Sequence, residues 1–119
     1  MVSLFRYPKR RLKKLIREGE YVEAIKFANS LESKFSNDPD FMFIMGGVYV
    51  ILEDAKKALP YYEKAFQLDK NDVETLKLKT DVHLALQQKD EAIDCCKRIL
   101  ELEPKNYEAQ ELLEELENF

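Results

Sequence analysis

The chain has 119 residues, 45% of them apolar and 35% charged, with a formal net charge of −4. That suffices for one domain with its own core, while three Gly and four Pro are too few for a turn-rich β fold, and no apolar run approaches the ~20 residues of a membrane-spanning helix. The charge is split: residues 1–17 carry seven Lys or Arg and no acid, and residues 101–119 carry seven Glu and one Lys, an asymmetry that bears on partners or self-association and not on the fold.

The opening MVSLFRYPKRR lacks the apolar core of a secretory signal. It is Arg-rich and acid-poor, as mitochondrial presequences are, but reads more simply as the lead into a first helix. Pro8 suits a first helical turn. Arg11, Leu12, Leu15 and Ile16 then keep helical spacing up to Gly19, a good terminator. A second helix presents Tyr21, Ala24, Ile25, Ala28, Leu31 and Phe35 on one face. Ser36-Asn37-Asp38-Pro39 is a turn.

The third helix, about Asp40–Leu52, is apolar nearly all round, as expected of a helix buried on more than one side. Gly46 and Gly47 lie inside it, where each costs ~1 kcal/mol relative to Ala. A close helix–helix approach would explain them. Asp54 can cap a fourth helix, Ala55–Leu68, which Pro60 should bend slightly. Lys70-Asn71-Asp72 turns the chain into a fifth helix, Val73–Leu86. A sixth, about Lys89–Leu102, ends at Glu103-Pro104-Lys105-Asn106. The last helix, Tyr107–Glu117, sets Ala109, Leu112, Leu113 and Leu116 against a Glu-rich face.

Residues Pro39–Asp72 and Val73–Asn106 form two 34-residue units. Leu52 and Leu86, Ala58 and Ala92, and Leu68 and Leu102 hold the same places in each. A period of this length signals stacked helical hairpins. Run backwards, the frame yields a degenerate unit from Phe5 to Asp38, so one domain over residues 1–119 is expected, with repeats at about 5–38, 39–72 and 73–106 and a capping helix at 107–119.

These residues resemble the tetratricopeptide repeat family. The Pro39–Asp72 unit carries the match in Met42, Met45-Gly46, Tyr49, Ala58, Tyr62 and Ala65, departing at Lys70 where the family favours Pro. The Val73–Asn106 unit keeps Leu76, Ala92 and Pro104, with Thr80 for Gly, His83 and Cys96 for the two aromatics and Ile99 for Ala. Gly19-Glu20-Tyr21-Val22-Glu23-Ala24-Ile25 resembles the family's inter-helix turn. The resemblance implies an all-α, right-handed solenoid of antiparallel helix pairs. It further implies a concave groove lined by the first helix of each repeat, taking extended or helical peptides. Carried over residue by residue, the groove has a basic zone (Arg6, Lys9, Arg10, Lys13, Arg17), an apolar zone (Phe43, Ile44, Gly47, Val50, Ile51) and a mixed zone (Glu74, Lys77, Leu78, Asp81, Leu84). The family's carboxylate clamp for chaperone tails is matched by Lys9 alone. Lys13, Ile44, Glu74 and Leu78 depart from the other four positions.

The expected function is a protein-interaction scaffold or adaptor binding an acidic and apolar peptide or helix segment, with head-to-tail self-association into a homo-oligomer as the alternative. The apolar zone reads either as core or as an interaction site. The basic zone lacks the interleaved aromatics of a single-strand binder, so neither nucleic acid nor membrane is expected as partner. His83 reads as a packed imidazole. Cys95 and Cys96 are adjacent, which suits neither a mutual disulfide nor a zinc site; Cys96 is expected in the core and Cys95 partly exposed and oxidisable. No enzyme, catalytic residue, metal or cofactor is expected, and the cysteine usage suits a reducing compartment, the cytoplasm.

Overall fold

The computed structural model describes residues 7–118, which form seven helices and no strand: α1 Pro8–Arg17, α2 Tyr21–Leu31, α3 Pro39–Ile51, α4 Ala55–Leu68, α5 Val73–Ala85, α6 Lys89–Leu102 and α7 Tyr107–Asn118. From α2 and α3 onward, each helix starts thirty-four residues after its counterpart in the preceding hairpin. Helices α1 and α2, α3 and α4, and α5 and α6 pack as hairpins, each also touching the next, and α7 closes the stack against α6. The body measures 55 × 25 × 22 Å.

Local chemistry sets these boundaries. The Asp38 carboxylate accepts hydrogen bonds from the backbone N–H of Asp40 and Phe41 at 2.9 and 3.3 Å, and Asp72 accepts from Glu74 at 3.1 Å. Asn106 does the same for Ala109 at 3.0 Å. Three turn residues are thus N-caps of α3, α5 and α7, filling donors that a helix start leaves unpaired. Asp54 caps α4 through Lys57 N–H, as its position suggests.

Inside each hairpin the first helix ends in a residue with positive φ: Gly19 at 79°, Glu53 at 57° and Gln87 at 60°. Each turn closes by the same two bonds. In the second, Glu53 N–H donates to Val50 C=O at 2.9 Å and Asp54 N–H to Tyr49 C=O at 2.8 Å. This is a Schellman ending, for which glycine is the unstrained choice. Only the first hairpin has one.

Helix α2 stops at Leu31, yet Phe35 N–H still donates to Leu31 C=O at 3.1 Å and the side chain packs on the same cluster as Ala24, Ala28 and Leu31. There the Phe35 ring also stacks on Phe41 of α3, centroids 5.5 Å apart. Pro60 is inside α4 on its exposed side, where the carbonyl it leaves unpaired lies near water.

The first two hairpins are packed by complementary volumes. A Cβ added at Gly46 would lie 2.6–2.8 Å from the ring of Tyr62, whereas one at Gly47 would meet only the Tyr62 hydroxyl oxygen at 3.9 Å. The close approach therefore needs Gly46 alone. At the corresponding positions α1 and α2 bury Leu12 and Ala28, and α5 and α6 bury Thr80 and Cys96. In the first two hairpins a large side chain on one helix meets a small one on the other, and which helix carries it changes between them; in the third both are small. Two of the departures from the family pattern, Cys96 and Thr80, fall at this crossing, where a thiol stands for the aromatic ring and a threonine for the glycine. The Thr80 hydroxyl is satisfied by Leu76 C=O at 2.7 Å. Ala58 and Ala92 are fully buried where the repeat pattern requires small residues.

Candidate functional site

The basic zone does not stay free. The Lys9 ammonium lies 2.7 Å from Asp38 and 3.4 Å from Asp40, and Lys13 lies 3.6 Å from Asp40. The first helix is thereby tied to the capped start of α3. Burial pushes the Asp38 carboxyl up, but its bonds to Lys9 and to two backbone N–H groups outweigh this and leave it below its ordinary value of 3.8. Lys9 is held above its ordinary 10.5, chiefly by its bond to Asp38 and against the cost of burial. Arg10, over the Tyr7 ring at 6.0 Å, and Arg17 are exposed. Arg6 lies outside the described residues.

The joint is testable by pH. The folded value of Asp38 lies below the unfolded one, so its stabilisation is complete above the unfolded value and drains away as pH falls through the folded value. Lys9 behaves oppositely: its contribution is complete below its unfolded value and is lost as pH rises through its folded one. Asp38→Ala, removing cap and ion pair together, is expected to cost about 2 kcal/mol at neutral pH. In denaturant unfolding the gap between variant and wild type should shrink in acid; a gap independent of pH would show that Lys9 adds nothing.

The apolar zone divides. Phe43 is half-buried, its ring edge-on to Tyr62 at 6.0 Å, and packs on the cluster of Ala58, Tyr62 and Val82. Ile44 packs on the opposite cluster around Leu12 and Phe41. Gly47 is half-buried. Val50 and Ile51 remain 42% and 50% exposed, and Leu52 extends the patch at 42%. Core and surface thus share the helix, and its exposed end alone is free to meet a partner.

The mixed zone lines a cleft. Glu74, Lys77, Leu78 and Asp81 of α5 make one wall of a cavity of about 330 Å³, and Glu108, Ala109 and Leu112 of α7 make the other. Leu84, on the same helix, is half-buried outside it. Asp81 is exposed at the cleft edge, and the partial shielding of its carboxylate, then repulsion from Glu74, raises it above its ordinary value. The sequence reading assigned α7 only a capping role and missed it as a cleft wall. The recurrence of Asp40, Glu74 and Glu108 at one place in the 34-residue frame, combined with the apolar face of the last helix, was the available signal.

Both thiols are buried, Cys95 at 6% exposure and Cys96 at 0%. This corrects the expectation of a partly exposed Cys95: it turns into the cluster of Leu76, Ile99 and Ala109. Burial pushes its thiol up, and that of Cys96 up to about 11, so neither is readily a thiolate. His83 is packed as expected, its Nδ1 2.8 Å from Gln88 Oε1. Among the described residues no three His, Cys, Asp or Glu gather where a metal ion would be held, and no helix is long and apolar enough to cross a membrane.

No curated protein matches this sequence. Among solved structures, the first repeat domain of Spaghetti (RPAP3), bound to the HSP90 peptide SRMEEVD, is similar at 25% identity with a TM-score of 0.79, over 93% of this chain and 88% of that one. MamA is similar at 18% identity with a TM-score of 0.85, over 99% of this chain and 64% of that one. PcrH, in complex with the chaperone-binding region of PopD, gives 18% and 0.81, over 99% and 94%. The fold is the all-α solenoid these proteins share. The family model for the tetratricopeptide repeat matches residues 49–116, more than half of the sequence, and the chain belongs to that family.

Proposed function

We propose that this protein is an interaction scaffold that holds a peptide or helix segment of another protein along the face built from α1, α3 and α5. Acidic residues of that segment would lie toward α1 and apolar ones on α3. The observation that carries this reading is the apolar surface left open at the end of the most apolar helix: Val50, Ile51 and Leu52 are all 42% exposed or more. A contiguous apolar patch open to solvent is characteristic of an interaction site. Exposed Arg10 and Arg17 on α1 supply the charge that would attract acidic side chains. The RPAP3 domain, with an acidic HSP90 peptide bound, supports the same class of function. Chaperone-tail specificity is not part of the proposal, since Lys9 is committed to Asp38 and the other clamp positions do not match. The family is one of interaction scaffolds, and no step of catalysis is assigned to this chain.

Kinetics with an isolated partner segment test the reading. Arg10→Glu combined with Arg17→Glu should slow association at low salt, and the effect should fade as salt rises, because exposed charges are screened over ~10 Å at 0.1 M. Val50→Ser combined with Ile51→Ser should leave association nearly unchanged and speed dissociation about tenfold. A partner bound equally well by both double variants would place the interaction on another face.

A further inference from the structure

The cleft between α5 and α7 has a chemistry opposite to that of the basic end. Its floor is apolar, with Leu78 on one side and Ala109 and Leu112 on the other. Its rim carries three carboxylates, Glu74, Asp81 and Glu108, against a single cation, Lys77. Glu74 and Glu108 each stand in the first turn of their helix, where the helix dipole favours an acid whatever else it does. Asp81 has no such reason to be there. It sits in the middle of α5, and the described residues give it neither an ion pair nor a hydrogen-bond partner. The contrast is with Asp38 and Asp40 at the other end, which Lys9 and Lys13 neutralise from within the molecule.

We infer that this cleft is a receptor for a lysine or arginine side chain of the bound segment, its aliphatic stem on Leu78, Ala109 and Leu112 and its charged head between Asp81 and Glu74. The cleft volume of about 330 Å³ accommodates one long side chain with its neighbouring backbone. Long basic side chains match both parts of the site, since their stems cover apolar surface while the head group meets the carboxylates. An acidic or aromatic side chain matches only the floor. Asp81 and Glu74 are both exposed at the cleft, and partial shielding by the cleft walls together with their mutual repulsion raises Asp81, a repulsion that a bound cation would relieve. The inference rests on the scaffold reading and adds a direction to it: the bound segment is acidic toward α1, apolar in its middle and basic toward α7.

Selection from a displayed random-peptide library tests this, followed by titration of a selected synthetic peptide against wild type, Glu74→Gln/Asp81→Asn and Val50→Ser/Ile51→Ser. The expected result is enrichment of Lys or Arg beside aliphatic residues, with about tenfold weaker binding to Glu74→Gln/Asp81→Asn. Thermal unfolding provides the structural control. If the carboxylates served only the fold, their neutralisation would destabilise it, whereas relieving the repulsion should leave the melting point unchanged or raise it. Peptides that lose affinity for Val50→Ser/Ile51→Ser but bind Glu74→Gln/Asp81→Asn like wild type would overturn the cation site and leave the scaffold reading standing. Peptides indifferent to both variants, or a library yielding no binder, would overturn the scaffold reading itself. Self-association of the wild type that Glu74→Gln/Asp81→Asn abolishes would assign the cleft to the basic α1 of a second copy and overturn its assignment to a separate partner.

Discussion

Gly46→Val is expected to lower the free energy of unfolding by about 3 kcal/mol. The reason is the ring of Tyr62, which lies 2.6–2.8 Å from where the new Cβ would be. That ring is 1% exposed and held edge-on by Phe43, so it has no free direction in which to retreat. The neighbouring glycine is the control. Gly47→Ala meets only the Tyr62 hydroxyl oxygen at 3.9 Å and should be neutral, or stabilising by up to about 1 kcal/mol through helix propensity. Urea unfolding, with the slope unchanged between variants, measures both. Equal midpoints for the two variants would mean that α3 and α4 do not approach as closely in solution as described.

Phe41→Ala should cost about 3–5 kcal/mol, and the loss should be local. Phe41 is fully buried in the cluster that joins Leu12, Ala24 and Ala28 of the first hairpin to Met42, Met45 and Ala65 of the second, and it stacks on Phe35. A stacked array is held mainly by contacts between neighbours, so removing this ring uncouples α1 and α2 without touching the α5–α7 end. Amide hydrogen exchange reads this directly: protection should fall across α1 and α2 and stay close to wild type in α5–α7. Uniform loss of protection along the chain would show that the molecule unfolds as one unit.

Much of the architecture was legible because its signals are local and repeat. Polar turns, Asp and Pro before helices, Gly19 after one, and apolar residues at helical spacing act within a few residues of themselves. They placed α4 and α6 to the residue and the remaining boundaries from α3 onward within one residue. The third helix was recognised as central from its apolar content, and a close approach at Gly46-Gly47 followed from the cost of glycine inside a helix. The spacing carried the α2 face as far as Phe35, four residues past the end of the helix, and its ring does pack with that face, against Phe41.

The sequence by itself therefore determined the period, the helices and the family, since each depends on nearby residues and their spacing. Tertiary structure decided the fate of individual side chains, because their partners come from other helices. Lys9 became a tie to Asp38, twenty-nine positions away, Lys13 became a tie to Asp40, and the free charge of the basic end was left to Arg10 and Arg17. Thr80 and Cys96, each a departure from the pattern, are both buried at the equivalent of the Gly46–Tyr62 crossing. Cys95 was buried by packing that no property of two adjacent cysteines announces. Among the described residues Asp81 has no ion pair, and it borders a cleft only because α7 folds back to make the second wall. Charge and burial at a site are properties of the assembled surface, and a sequence read along one helix face at a time supplies only one of its walls.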